Sequence, residues 1–329
     1  MPVTVTFHDS QYPSRVVEQL RAGLRARKLS GKFLYESPAQ AQRWLLYHQA
    51  FSPSRTEAAL LALYQQSFQA ALHAISSEAL HYISIGCGGG TKDALFLKTA
   101  KPLSPTLYFT PMDVSAALVI ETMLRLPVDL KAFPLVIDLE TEPDLLTILG
   151  QHDKHAMGRL FTCFGIIPNF DYLVFLPYLR RLLRQQDLLL LSANLSPTPY
   201  PEAVPHILPQ YDNPPARSWF MGLLEQLGFT EADLKLHIDA HALRLDGHVW
   251  QIRAAAQFIR QVRLTLYGET FVFESGEWLH LFFSNRFTPQ VMPSILTEAG
   301  FTVVEMFLFD SRQEGIYLCS TQVPGTGNE

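Results

Sequence analysis

Tyr82-Ile83-Ser84-Ile85-Gly86-Cys87-Gly88-Gly89-Gly90-Thr91-Lys92-Asp93 reads as a short apolar strand, a glycine cluster and the start of a helix near Asp93. Glycine carries no Cβ, so such a cluster lets the backbone turn with positive φ and lets a ligand come close. The helix that follows offers unpaired N–H groups at its start. Together these outline a nucleotide cradle. The spacing Gly86-x-Gly88-Gly89-Gly90 lacks the Lys-Ser/Thr pair of a phosphate loop, and it fits the dinucleotide fingerprint only by omitting the last glycine. The stretch alone leaves the nucleotide open, with a bare structural turn as the alternative.

Working downstream, the pattern predicts a helix over about Lys92 to Thr99 and a strand from Thr106 to Pro111 ending at Asp113. A helix from Ser115 to Leu126 and a strand from Phe133 to Ile137 ending at Asp138 come next. A helix near Pro143 to Leu149, a strand Arg159 to Phe164, a helix Asp171 to Arg184 and a strand Asp187 to Ala193 complete the run. Strand–helix alternation of this kind implies parallel βαβ units in a doubly wound α/β sheet. The glycine turn falls at the first strand–helix junction, and Asp113 and Asp138 end the next two strands, on the carboxyl edge where such sheets bind ligands. That context favours the cradle over the bare turn.

Upstream, Val16 to Lys28 and Arg43 to Gln49 read as helices. Ser54 with Glu57 makes a capping box for an alanine- and leucine-rich helix from about Arg55 to Ile75. Beyond the sheet, Ser196-Pro197-Thr198-Pro199-Tyr200-Pro201 reads as an interdomain linker. After it, Ala216 to Leu227 and Glu231 to Leu236 read as helical. Val249 to Ala254, Gln261 to Tyr267, Glu269 to Phe273 and Trp278 to Phe283 read as an antiparallel meander. Thr288-Pro289 opens a last helix ending at Gly300, and Phe301 to Asp310 with Gly315 to Ser320 forms a hairpin that returns to the parallel sheet.

Composition narrows the partners. At 329 residues the chain suggests about two domains of the usual ~150 residues. A net charge of −5 without a basic patch argues against nucleic acid and leaves a small molecule as the expected partner. Cys87, Cys163 and Cys319 are far apart and form no CxxC pair, so neither a disulfide framework nor a zinc site is signalled and a reducing, cytoplasmic setting is expected. No basic region followed by an apolar core opens the chain, so no secretory leader is expected. The apolar runs fall short of the ~20 residues of a membrane span. The chain is expected to act as a monomer.

Seven segments, in order, carry a resemblance. They are Phe33-Leu34-Tyr35, Pro53-Ser54-Arg55-Thr56-Glu57, Gly86-Cys87-Gly88 with Lys92, Asp113-Val114-Ser115, Gly165-Ile166-Ile167-Pro168-Asn169, Tyr211-Asp212 and Phe283-Ser284-Asn285-Arg286-Phe287. With them the chain resembles, over nearly its whole length, the histidine Nα-methyltransferases of ergothioneine biosynthesis. Fungal indole-alkaloid N-methyltransferases are also similar to that family. The resemblance implies a class I methyltransferase fold, with a seven-stranded Rossmann-like sheet and a second α+β substrate-binding domain. It places the first in 58–195 plus 286–329 and the second in 1–57 plus 196–285.

It also implies S-adenosyl-L-methionine as cofactor. Gly86, Gly88 and Lys92 would meet the methionine moiety, Asp113 the ribose hydroxyls, and Asp138 or its backbone neighbour the adenine amine. An ionised carboxylate is acceptor-only and matches two hydroxyl donors. For an amino-acid substrate, Asn169 and Tyr211 would hold the carboxylate and Tyr35 would stand near the α-amine as the catalytic tyrosine.

The side-chain end departs from the family. Phe51 stands where the histidine enzymes place a tyrosine, Phe282 where they place a glutamate, and Ile252 where they place a methionine, while Ser284 is kept. An apolar pocket rejects a polar ring because desolvation of its nitrogens goes uncompensated, at ~1–3 kcal/mol each. The expected acceptor is therefore the α-amine of an amino acid other than histidine, with a larger apolar or aromatic side chain. The alternative is a non-catalytic, regulatory S-adenosylmethionine-binding homologue. Other chemistry is weaker. His152 and His155 lack a third metal ligand, Cys87 has no base placed beside it, and His237, His241 and His248 read as surface or satisfied interior residues.

Overall fold

In the computed structural model, which describes residues 3–51, 57–75, 77–104, 106–126, 130–151 and 157–321, the chain opens with a two-residue strand β1 (Thr6–Phe7) and helix α1 (Pro13–Ala26). Pro13 stands at the helix start, where its missing N–H is not needed. Helices α2 (Pro38–Phe51) and α3 (Ala58–Ala74) follow. Ser54 of the expected capping box lies outside the described residues, as do His152 and His155.

From β2 (Ala79–Ile85) the chain alternates through α4 (Thr91–Ala100), β3 (Thr106–Asp113), α5 (Ala116–Leu124), β4 (Lys131–Ala132), β5 (Leu135–Val136), α6 (Leu145–Gly150), β6 (Gly158–Phe164), α7 (Tyr172–Leu182) and β7 (Leu188–Asn194). The strands are apolar on both sides because helices cover both faces. After β7 come α8 (Val204–Ile207), α9 (Pro214–Gln226), β8 (Leu234–Ala242), β9 (Val249–Phe258), β10 (Val262–Leu266), β11 (Glu269–Phe273) and β12 (Trp278–Phe287). The chain closes with α10 (Met292–Glu298), β13 (Thr302–Leu308) and β14 (Glu314–Ser320).

Seven strands run in the order β5-β3-β2-β6-β7-β14-β13, parallel except for the hairpin at the end, where β14 pairs antiparallel with β7 and β13 with β14. This is the class I methyltransferase arrangement, a mixed α/β fold on a mainly parallel sheet. Two short strands extend it beyond expectation: β1 pairs in parallel with β5, and β4 with β3. A buried Arg159–Asp187 ion pair ties the start of β6 to the turn before β7.

The remaining strands differ from the expected meander. β8, β9 and β12 form a three-stranded antiparallel sheet in the order β12-β9-β8, and β10 with β11 splits off as a separate hairpin. Residues 231–236 are not a helix. Leu234, Leu236, Ile238 and Ala240 alternate with Lys235, His237 and Asp239, a period of two that belongs to a strand. Leu24, Leu34, Trp219, Trp250 and Phe258 pack into a core of their own, apart from that of the large sheet.

Candidate functional site

At the carboxyl end of β2 the chain turns through Gly86, Gly88, Gly89 and Gly90 with φ of 72°, 55°, 89° and 74°, the left-handed region where a side chain is strained. Two bonds stitch this turn to β3. Gly86 N donates to Met112 O at 2.9 Å, and Gly88 N donates to Asp113 Oδ2 at 3.1 Å. The other oxygen of Asp113 accepts from Ser115 N at 3.0 Å, while the Ser115 hydroxyl caps α5. Backbone donors from both chain segments thus fix the carboxylate at the edge of the cavity. Burial outweighs those donors and lifts the Asp113 carboxyl to about 6.

Lys92, at the start of α4, donates to the Tyr64 hydroxyl at 2.6 Å and lies 3.6 Å from Glu314. Its charge therefore sits between the glycine turn and the start of β14. Asp138 follows β5 and is already engaged, with Lys32 Nζ at 3.2 Å, Gln19 Nε2 at 3.1 Å and Glu140 N at 2.9 Å. Lys32 and Asp138 are almost wholly buried, so each supplies the counter-charge the other needs.

That ion pair also places Tyr35. Ser30 accepts from Lys32 N to start a 3₁₀ turn over Gly31–Leu34, and Trp219 Nε1 donates to Leu34 O at 2.7 Å. Tyr35 emerges against the turn after β6, where Asn169 Nδ2 donates to its hydroxyl at 3.2 Å. Burial, with Tyr211 and Asp113 nearby, pushes the Tyr35 phenol far above its ordinary value.

Opposite stands β12, whose Phe282, Ser284 and Arg286 alternate onto one face. Tyr211 lies along that row, 3.0 Å from Ser284 Oγ, and accepts from Arg286 Nη2 at 2.7 Å. The Phe282 ring is enclosed by Phe220 at 5.4 Å, Trp219 at 5.7 Å and Tyr211 at 6.1 Å. Tyr47 stacks on Trp219 at 5.7 Å, and Trp44 meets Tyr35 at 5.8 Å. Rings from five separate parts of the chain therefore wall one end.

The cavity between these elements encloses about 1320 Å³, room for two small molecules side by side. Gly86, Gly88, Lys92, Asp113, Asp138, Tyr35, Phe51, Asn169, Tyr211 and Phe282 all line it. Two expected residues do not. Ser284 is fully buried behind Tyr211, and Ile252 is fully buried on β9, paired with Ser284. Phe51 lines the cavity but remains 38% exposed at the end of α2, and Trp44 and Tyr47, earlier in the helix, are the α2 rings in the wall. Sequence reasoning missed Trp44, Tyr47 and Trp219. Aromatic residues at helical spacing in α2 were the available signal, but they do not say which face meets a ligand.

Among the described residues the other candidate groups do not form a second site. Burial and the nearby Asp113 and Asp93 carboxylates push the Cys87 thiol up, so it stays protonated and packs as a small apolar residue. His241 bonds Asp239 and His248 bonds Thr288, while His237 packs on Trp278. Among the described residues no three His, Cys, Asp or Glu side chains are grouped to hold a metal, and no helix is long and apolar enough to cross a membrane.

A sequence family described as histidine-specific, S-adenosylmethionine-dependent methyltransferase matches residues 16–321. No curated protein sequence matches. Among solved structures, the chain is similar to the CcbJ methyltransferase from Streptomyces caelestis at 9% identity, covering 79% of this chain and 90% of that one with a TM-score of 0.39. It is also similar to the Burkholderia thailandensis 1,6-didemethyltoxoflavin-N1-methyltransferase, crystallised with S-adenosylhomocysteine, at 11% identity, 87% and 89% coverage and a TM-score of 0.40. Likeness at this level carries no argument about substrate.

Proposed function

The chain belongs to the family of histidine-specific, S-adenosylmethionine-dependent methyltransferases, and from that premise we propose that it methylates the α-amine of an amino acid other than histidine, one with a larger apolar or aromatic side chain. The observation that carries this reading is the setting of Phe282. Its ring is 9% exposed and packs among Tyr211, Trp219 and Phe220. An imidazole against that wall would lose water from its nitrogens and gain no carboxylate in return. A hydrocarbon side chain would lose nothing, and an indole has one N–H to place where an imidazole has two ring nitrogens.

The residues of the cradle fit the cofactor. Asp113 faces the cavity with acceptor capacity left for ribose hydroxyls, and Gly86 and Gly88 add no side chains of their own where Ile166 and Trp44 close over the turn. Lys92 would hold the methionine end. The Asp138 carboxylate is already bonded on both oxygens, so the adenine amine would meet a remaining lone pair or the adjoining backbone. When bound, S-adenosylmethionine supplies a sulfonium methyl group open to in-line displacement.

For their part, the protein side chains orient the amine. Charge disperses in such a displacement, so placement of the nitrogen lone pair contributes more than electrostatic stabilisation. The raised pKa of Tyr35 keeps its hydroxyl protonated, which makes it an orienting group rather than a base. Its oxygen accepts from Asn169 and can accept an amine N–H, leaving the nitrogen lone pair free. Asn169 and Tyr211 would bind the carboxylate. We assign cofactor binding to 58–195 with 286–329 and substrate binding to 1–57 with 196–285.

Mass spectrometry after incubation with S-adenosylmethionine and each of the twenty amino acids tests this. Methylated phenylalanine, tryptophan, tyrosine, leucine or methionine is expected. Highest turnover on histidine would refute the argument from Phe282, and cofactor binding with no amino acid methylated would refute the acceptor class.

A further inference from the structure

Arg286 is 3% exposed, as buried as a core side chain, yet among the described residues no carboxylate comes within ion-pair distance of it. Arg159, equally buried, has the Asp187 carboxylate against it. Arg286 has instead the Tyr211 hydroxyl at 2.7 Å, a long 3.4 Å contact from Nη1 to Leu195 O, and an Nε with no partner. Its guanidinium also lies over the Tyr211 ring at 5.2 Å. A guanidinium taken out of water without a counter-charge is costly, and breaking such a pair is more costly than never forming it. Arg286 lines the cavity beside Tyr211, so an anion entering there would supply the missing charge.

We infer that Arg286 is a positioning residue for the carboxylate of the acceptor, acting through Tyr211. The Tyr211 oxygen accepts from the guanidinium, which polarises its O–H and makes it a stronger donor to an anion. The row on β12 then gives the cavity a direction, with positive charge at Arg286 and an apolar ring at Phe282, while Ser284 between them backs the Tyr211 hydroxyl from behind. An amino acid laid along it has its carboxylate at one end and its side chain at the other. The inference rests on the amino-acid reading above and sharpens it: the acceptor must carry an anion, so a simple amine of the same shape is a poor substrate.

The experiment compares wild type, Arg286→Met and Arg286→Lys on the best-methylated amino acid of the panel and on its primary amide. Wild type should prefer the acid by at least about 100-fold in kcat/KM, Arg286→Met should shrink that ratio below about 10 by losing activity on the acid alone, and Arg286→Lys should recover part of it. S-adenosylhomocysteine affinity should be unchanged in all three. A ratio that survives Arg286→Met, or acid and amide falling together, would overturn the inference and leave Arg286 a structural residue. So would a loss of cofactor affinity with the ratio intact.

A second readout needs no methyl transfer. Indole-3-propionate, which has the ring and the carboxylate but no amine, should raise the melting temperature of wild type and not of Arg286→Met. Equal shifts would overturn the role of Arg286. A charge-dependent shift with no amino acid methylated would instead count against the N-methyltransferase reading while upholding Arg286.

Discussion

The Asn169 side-chain amide donates to the Tyr35 hydroxyl at 3.2 Å and joins positions 134 residues apart in the chain. One partner comes from the turn after β6, the other from the 3₁₀ turn latched by Lys32 to Asp138. Because burial holds Tyr35 protonated, Tyr35→Phe should remove an acceptor and not a base. Its kcat should fall about 10- to 1000-fold with S-adenosylhomocysteine affinity unchanged. The pH profile of kcat/KM should keep its inflection, since the titrating group is the amine of the acceptor. A profile that changes shape in Tyr35→Phe would make the tyrosine a proton acceptor after all.

Asp113 predicts a pH dependence of binding with a definite sign. Burial raises its folded-state pKa to about 6, so the ionised group works against folding above that pH, and the penalty fades as the pH falls through it. Cofactor binding runs the other way, because ribose hydroxyls donate to the ionised form. S-Adenosylhomocysteine affinity should therefore rise with pH up to about 6 and level off above it. By calorimetry, Asp113→Asn should weaken binding about 10- to 100-fold, the loss expected for hydrogen bonds to a charged acceptor, and abolish the step. A step that persists in the variant would belong to another acid, such as Glu140, whose carboxyl burial also raises.

That Gly86, Gly88 and Asp113 gather on one cavity was legible because these residues are local. Gly86, Gly88 and Asp113 lie at strand ends, and the βαβ rule brings strand ends to one edge without any knowledge of packing. The meeting of the residues opposite was legible only through resemblance, and incompletely. Tyr35, Asn169 and Tyr211 meet from three segments, and no periodicity announces that. Trp219 and Tyr47 read as ordinary core residues of amphipathic helices, and they become a wall only when α2 packs on α9. The strand β8 was misread because its alternation, Leu234-Lys235-Leu236-His237-Ile238, begins directly after a helix-like acidic turn.

Phe282 carries the specificity argument, so Phe282→Glu should reverse it. The new carboxylate would be buried among three rings, with a loss of folding stability of about 3 kcal/mol by urea denaturation. In return it would offer an imidazole the acceptor that the wall lacks. The ratio of histidine turnover to turnover of the preferred apolar or aromatic acceptor should rise by about tenfold or more. An unchanged ratio in a folded variant would show that Phe282 does not face the acceptor side chain.

Two glycines with nearly the same backbone angle separate strain from crowding. Gly90 has φ 74° and Gly165 has φ 73°, so alanine at either pays the same left-handed penalty, about 1 kcal/mol. At Gly165 the added Cβ would meet nothing within 4 Å. At Gly90 it would come 2.8 Å from Thr122 Cα, a backbone atom of α5 that no rotamer change can move. Overpacking of that kind adds roughly 1–3 kcal/mol. Gly90→Ala should therefore lower stability by about 2–4 kcal/mol in urea, and Gly165→Ala by only about 1. Equal losses would mean that α5 slides away from the glycine turn. Because Ser115 at the start of α5 donates to Asp113, that slide would then appear as weakened S-adenosylhomocysteine binding in Gly90→Ala.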